Sequence, residues 1–293
     1  MKTKMKMMTA ILLGVFAVMT ACKKEEAKVD DNEPTYDSST APKSNAIIEK
    51  AYDDMTNMSD QAVNGGLVFY QSDKVQVFYV DGKENNIVNK EACSVIITID
   101  TTSTPKSVTI DWGSVNCDCQ DGKQRRGKLV TTYTGKYRDP GTVITHTPVD
   151  YYVNDNHIEG TKVVTNSGTN SSNQPYFTID IDGVVTMTDG EVFTYTSDRV
   201  RTWTNGYSTP YNYMDDEYDF TGSATGSSSL GNGYTANIVT PLHVKVDCSW
   251  VVSGVLDFTP NNKPTRTINY GDGTCDGNIT VTINGQTYTI IYN

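Results

Sequence analysis

Short stretches in which apolar residues alternate with Thr or charged residues follow one another from residue 65 to the end of the chain. This two-residue period is typical of β-strands with one buried face and one exposed face. Asp-Gly and Asn-Gly pairs separate many of the stretches and favour tight hairpin turns. One such pair, Asp182-Gly183, predicts a turn between strands at 177–181 and 184–188. The pattern predicts one all-β domain, residues 65–293, of antiparallel hairpins in sequence. The pattern does not distinguish between a sandwich, a curled sheet and a solenoid-like stack.

Residues 44–64 show a different period. Apolar residues recur there at spacings of three and four, as an amphipathic helix requires, and the acidic residues lie on the other face. Gly65 and Gly66 would end this helix. We therefore expect one N-terminal amphipathic helix that packs on the β domain.

The first 43 residues differ from both patterns. Residues 1–21 have a Lys-rich start, a short apolar run and small residues before Cys22, which together predict a secretory signal peptide. The apolar run is shorter than the roughly 20 residues that a membrane-spanning helix needs. Residues 22–43 contain almost no large apolar side chains and predict a disordered tether.

Two motifs at this N-terminus carry a resemblance to a known class of proteins. Thr20-Ala21-Cys22 resembles a bacterial lipobox, and Lys23-Lys24-Glu25-Glu26 is similar to the export tag of Bacteroidota surface lipoproteins. The rest of the chain resembles uncharacterised lipoproteins of that group in its Thr-rich, β-rich and Cys-framed character. The resemblance implies lipidation of Cys22 and an outer-membrane location, with the protein facing the extracellular side.

Five further cysteines fall into a repeated pattern. Residues 93–118 and 248–276 each read as cysteine, strand, turn, strand, cysteine, with the second cysteine four residues after a Gly. A hairpin with cysteines at both ends brings them within disulfide reach. The expected disulfides are Cys93–Cys117 and Cys248–Cys275. As an alternative, Cys119 replaces Cys117 as the partner of Cys93.

Charge and residue types exclude several function classes. The formal net charge of −11 argues against nucleic-acid binding, which requires a clustered basic surface. Three scattered His residues and a single Cys-x-Cys pair do not match the spacing of structural zinc sites, so no metal or other cofactor is expected. The basic residues Lys123, Arg125, Arg126 and Lys128 are interpreted as a solvated hairpin loop.

These observations give three hypotheses of function. The first is a non-enzymatic outer-membrane or surface lipoprotein with a structural or adhesive role, held to the membrane by its lipid anchor alone and with an unidentified glycan or envelope-protein partner. The second is a glycan-binding lipoprotein in which aromatic rings stack on sugars, with the candidate residues Trp203, Tyr207, Tyr211 and Tyr213. The third is a glycoside hydrolase using the carboxylates of Asp215 and Glu217, which would share a face if this segment were extended.

Overall fold

The structure is a computed structural model that describes residues 41–63, 75–81, 93–119, 121–209 and 212–291. Within these ranges the side chains of 61, 63, 75–81, 93, 94 and 213 are not described. The described chain forms one α-helix and fifteen β-strands, together with a single turn of 3-10 helix at Tyr213–Asp215. The all-β prediction with one N-terminal helix is therefore confirmed.

The helix, α1, spans Ala41–Val63, so it begins three residues before the predicted start and includes the last residues of the segment predicted as a tether. The predicted signal peptide and residues 22–40 lie outside the described residues. The strands, in chain order from β1 to β15, are Val75–Asp81, Cys93–Asp100, Lys106–Asp111, Cys117–Asp118, Gln124–Tyr133, Val143–Val153, Asn156–Thr169, Pro175–Thr186, Val192–Asn205, Glu217–Ser228, Tyr234–Lys245, Val251–Pro260, Arg266–Asp272, Asn278–Ile283 and Gln286–Ile291.

All fifteen strands belong to one sheet in which neighbours in space are neighbours in sequence. Only the two-residue strand β4 lies off this path, where it pairs with β5. Every described pair is antiparallel except β1 with β2, which is parallel, so the hairpin prediction is wrong at this first pair. A parallel pair cannot be joined by a tight turn, whereas the antiparallel pairs β6–β7 and β14–β15 are each joined by two residues.

The sheet curls around α1. Side chains of β5, β6, β7 and β9 all contact this one helix, although these strands lie side by side across the sheet. Of the three architectures left open by the sequence, the structure adopts the curled sheet. Along β8 and β9 buried and more exposed residues alternate, and the buried set faces the helix and the apolar core. The strand periodicity therefore identifies the inner face.

The pair Asp182-Gly183 is not a turn, because β8 continues through it from Pro175 to Thr186. The reason lies on the helix. The hydroxyl of Tyr52 donates a hydrogen bond of 2.7 Å to the carbonyl of Glu159 on β7, and a Cβ at position 183 would lie only 1.6 Å from that hydroxyl oxygen. Gly183 is therefore required for the close approach of the Tyr52 side chain, not for a reversal of the chain.

The second Cys-framed hairpin is closed as predicted. Cys248 and Cys275, at the outer ends of β12 and β13, form a disulfide with a Cα–Cα distance of 5.9 Å. Cys117 is also disulfide-bonded, and Cys119 is a buried free thiol. The side chain of Cys93 lies outside the described set, so the Cys93–Cys117 pairing stays a prediction.

Candidate functional site

Three acidic residues of α1, Glu49, Asp53 and Asp54, do not lie on a solvent face. The curled sheet surrounds the helix, so Asp54 lies in the interior at 2 % side-chain exposure, against Arg125, which is fully buried. The Arg125 guanidinium donates to both oxygens of Asp54, at 2.9 and 2.6 Å, and to both oxygens of Asp121, at 2.9 and 2.6 Å. Lys123 adds a bond of 2.6 Å to Asp54. The interpretation of this basic segment as a solvated loop is wrong for Arg125.

Two more acids of α1 pair with cations on the sheet. Lys162 of β7 donates to Asp53 at 2.9 Å, and Arg199 of β9 donates to Glu49 at 3.2 Å. Burial raises the pKa of Asp53 and of Glu49 despite these partners. Burial alone would also raise the pKa of Asp54, but Arg125 and Lys123 together outweigh it and lower that pKa to about 2. These pairs hold the helix inside the sheet and leave little space around them.

Ser59 and His146 are in contact, as a catalytic nucleophile and its general base would be, but they cannot act as such a pair. The Ser59 Oγ lies 3.2 Å from His146 Nδ1, and the Ser59 hydroxyl donates to the carbonyl of Met55. Ser59 is fully buried and His146 is 1 % exposed, so a substrate cannot reach either. Burial, with Lys162 nearby, lowers the pKa of His146 to about 3, so the imidazole is neutral.

A large cleft opens at the C-terminal end of α1. Its volume is about 1180 Å³, and it lies between the last turns of the helix, the β2–β3 hairpin, the β5–β6 connection and the adjoining ends of β9, β10 and β11. Drug-sized ligands occupy pockets of roughly 300–1000 Å³, so the cleft has room for one. Its walls are mainly apolar and aromatic, and the described side chains include Ile99, Val108, Tyr133, Tyr137, Ile144, Trp203, Tyr218, Val244 and Val246.

Arg201 of β9 is the buried cation of this cleft. It is 7 % exposed, and its guanidinium lies 4.8 to 5.9 Å from the ring centres of Phe177, Tyr218 and Tyr137. One terminal nitrogen donates to the Tyr137 hydroxyl. Among the described residues, no carboxylate lies within 4 Å of this guanidinium, and the buried Nε has no hydrogen-bond partner. Arg125 and Arg199, by contrast, each pair with a carboxylate.

Many polar residues also line the cleft, and three of them are Tyr133, Asp216 and Asp60. The buried hydroxyl of Tyr133 has no hydrogen-bond partner in the described structure. Asp216 is occupied, because it accepts hydrogen bonds from Trp203 Nε1 at 3.2 Å and from the Tyr218 hydroxyl at 3.0 Å. Asp60, near the end of α1, has an exposed surface in the cleft, but many protein atoms surround its carboxylate. The resulting desolvation raises the pKa of Asp60 to about 6, although the positive charge of Arg201 acts to lower it.

The two aromatic candidates whose side chains are described, Trp203 and Tyr207, do not present a flat stacking surface. Trp203 borders the cleft but is only 5 % exposed, and Tyr207 meets it edge-on, with ring centres 4.9 Å apart and planes at 85°. The Arg138 guanidinium lies 4.8 Å from the Trp203 ring and 4.5 Å from the Tyr207 ring. Tyr211 and the side chain of Tyr213 lie outside the described residues. Arg138 and these two rings instead pack the β5–β6 connection against β9.

The carboxylate candidates are separated by local structure. Asp215 lies in the 3-10 turn and accepts hydrogen bonds from Thr209, whereas Glu217 begins β10 and contacts His243 at 3.1 Å. The expectation of one shared extended face is therefore wrong, and neither residue is among those found to line the cleft. The intervening Asp216 points inward instead.

Sequence reasoning did not identify Arg201, although a signal was present. Arg201 and Trp203 are two residues apart on one strand, so an inward Trp203 places Arg201 on the inner face as well. Tyr137 gave no comparable signal, because it lies in the β5–β6 connection, which has no regular period, and Tyr133 is only the last residue of β5.

Comparison of the chain with protein families, with curated proteins and with solved structures found no match. In the described part of the chain, no helix is long and apolar enough to cross a membrane. Within the same residues, no three His, Cys, Asp or Glu side chains are grouped so as to hold a metal ion.

Proposed function

We propose that this protein is a lipid-anchored envelope protein that binds a small ligand in the cleft at the C-terminal end of α1. The observation that carries the proposal is the cleft itself, which has a volume of about 1180 Å³ and a mainly apolar accessible surface, with polar groups that include Arg201 and Tyr133. That combination is the usual composition of a small-molecule site.

Binding without catalysis is the better interpretation of the polar groups. Asp216 is engaged by Trp203 and Tyr218, and Ser59 with His146 is sealed in the interior. Asp215 and Glu217 do not face each other across the cleft, so the residues that suggested a hydrolase do not support one. Glycan binding through Trp203 is not favoured either, since its ring is almost fully covered.

The lipid anchor rests on the sequence. A lipidated Cys22 would hold the protein at the outer membrane, because each acyl methylene buried in the bilayer contributes about 0.8 kcal/mol. The acidic chain gains no attraction from anionic lipid headgroups. Labelling cells with a radioactive fatty acid tests the anchor: the native protein should be labelled and the Cys22→Ala variant should not. Equal absence of label in both would contradict it.

The cleft can be tested with a neutral fluorescent dye, phenylnaphthylamine, whose emission rises in apolar surroundings. We expect saturable binding to the full-length protein, weakened at least about tenfold by Val246→Trp, which fills the cleft with a bulky ring. Val239→Trp is the matched control, because Val239 is 56 % exposed and does not line the cleft. No saturable binding, or equal binding by the two variants, would contradict a ligand site in the cleft.

A further inference from the structure

Arg201 differs from three other buried cations of the sheet that pair with the helix. Arg125, Lys162 and Arg199 each contact a carboxylate on α1, at 2.6, 2.9 and 3.2 Å. Asp60 of α1 interacts electrostatically with Arg201, but no contact within 4 Å joins the two side chains in the described structure. Arg201 is thus a buried guanidinium without a direct counter-ion among the described residues.

Such an arrangement is costly unless something completes it. An unpaired buried charge, or a buried N–H without an acceptor, destabilises a fold, so native structures satisfy nearly all of them. The Nε of Arg201 is such a donor, and the Tyr133 hydroxyl in the same cleft is a second. Both residues line the cleft, which is large enough for a ligand.

The chemistry of a guanidinium indicates what would fill that space. Its nitrogens form a planar fork that matches the two oxygens of a carboxylate, or those of a sulfonate. Tyr137, Phe177 and Tyr218 surround the Arg201 guanidinium and exclude water from it, which strengthens an ionic contact. The accessible surface of the cleft is mainly apolar, although Lys106, Lys136, Arg138 and Lys245 also line it, so the cleft favours a ligand with a hydrophobic body over a sugar.

We infer that Arg201 is the anchor of an anion-binding subsite, and that the ligand of the cleft is an organic acid with an apolar or aromatic body. The anionic group binds the Arg201 fork, the Tyr133 hydroxyl donates a further hydrogen bond, and the body lies along the walls formed by Val108, Ile144 and Val246. This inference rests on the proposed function, because it specifies the ligand of the same cleft.

Two dyes that share one aromatic skeleton provide the test. Anilinonaphthalene sulfonate carries an anionic group, and phenylnaphthylamine lacks it. The native full-length protein should bind the anionic dye at least about tenfold more tightly, since hydrogen bonds to a charged group contribute about 1.5–3 kcal/mol and 1.4 kcal/mol is a factor of ten. Competition by simple aromatic and aliphatic carboxylates then extends the result to the natural class.

Variants assign the preference to Arg201. Arg201→Met should remove the preference for the anionic dye and leave the neutral dye bound as before. Arg201→Lys, which keeps the charge but not the planar fork, should reduce the preference for the anionic dye at least about threefold. This variant replaces Arg201→Met in the test if the Met variant does not fold. Arg126→Met is the matched control, because Arg126 pairs with Asp155 away from the cleft, and it should keep the full preference.

The outcomes separate this inference from the proposed function. If the native protein binds both dyes equally, or if the preference survives in Arg201→Met and Arg201→Lys, the anion subsite is wrong and a ligand-binding cleft remains. If neither dye binds, both the anion subsite and the proposed function are wrong. Thermal unfolding of each variant, followed by circular dichroism, checks that the dyes report on folded protein.

Discussion

Replacing Asp54 with Asn should destabilise the protein strongly and in a pH-dependent way. The change removes the carboxylate that accepts two bonds from Arg125, one from Lys123 and one from Tyr151 at 3.2 Å. Arg125 stays fully buried and keeps only Asp121 as a counter-ion. Breaking a buried ion pair from one side typically costs about 3–5 kcal/mol, so we expect that loss in the free energy of unfolding at pH 7.

The pH dependence follows from the pKa of Asp54, which the fold lowers from 3.8 to about 2. A lowered pKa contributes stability that is fully present above the unfolded value, near pH 4, and is lost as the pH falls through the folded value. Each pKa unit corresponds to about 1.36 kcal/mol, so about 2 kcal/mol of the difference between native protein and Asp54→Asn should vanish between pH 5 and pH 2.

Urea denaturation followed by far-UV circular dichroism, at several pH values, measures this difference. Asp118→Asn is the control, because Asp118 is exposed and lies on β4 beside the same cluster. It should change the stability by less than about 0.5 kcal/mol. Removing both charges in Asp54→Asn with Arg125→Met should recover part of the loss, since no buried charge is then left alone. If the free energy of unfolding of the Asp54→Asn variant lies within about 1 kcal/mol of the native value, the reasoning is refuted.

Three further predictions follow from other parts of the structure. Gly183→Ala should lower the free energy of unfolding by about 3 kcal/mol, because the new Cβ displaces the Tyr52 side chain; an unchanged urea midpoint would contradict this. Replacing Cys248 and Cys275 together by Ala should cost about 3–4 kcal/mol for a loop of 27 residues, measured without reductant against the native protein. Asp60→Asn should stabilise the protein by about 1 kcal/mol at pH 7.5, because the fold raises the pKa of Asp60 to about 6 and solvent in the cleft screens part of the effect. That gain should disappear below pH 4, where Asp60 is protonated in both states; a gain that is independent of pH would rule out this explanation.

Much of the fold could be predicted from local pattern. The alternation of apolar residues and Thr identifies the strands, the Asn-Gly pair at Asn284 gives the hairpin of β14 and β15, and the spacing of Cys248 and Cys275 gives their disulfide. Each of these features depends on residues close together in sequence, and local spacing reports on them directly.

The interior charges could not be predicted in the same way. A stripe of apolar residues on α1 implies a polar face in water, but the sheet that curls around the helix buries Glu49 and Asp54 of that face. The partners Lys162 and Arg199 are 109 and 150 residues from their acids, and no local pattern records such pairings. The cleft was missed for the same reason, since its walls come from helix and strands that are distant in the chain.

The position of α1 in the chain has a consequence for the order of assembly. A polypeptide is synthesised from its N-terminus, so the helix is made before any strand that it contacts. Its acids meet Arg125, Lys162 and Arg199 at separations of 71, 109 and 150 residues. Successive hairpins can form one at a time beside each other, but the helix has no complete binding surface until β9 has been synthesised. Fragments that stop before Val192 should therefore leave the helix exposed to proteases, and the completed sheet is what protects it.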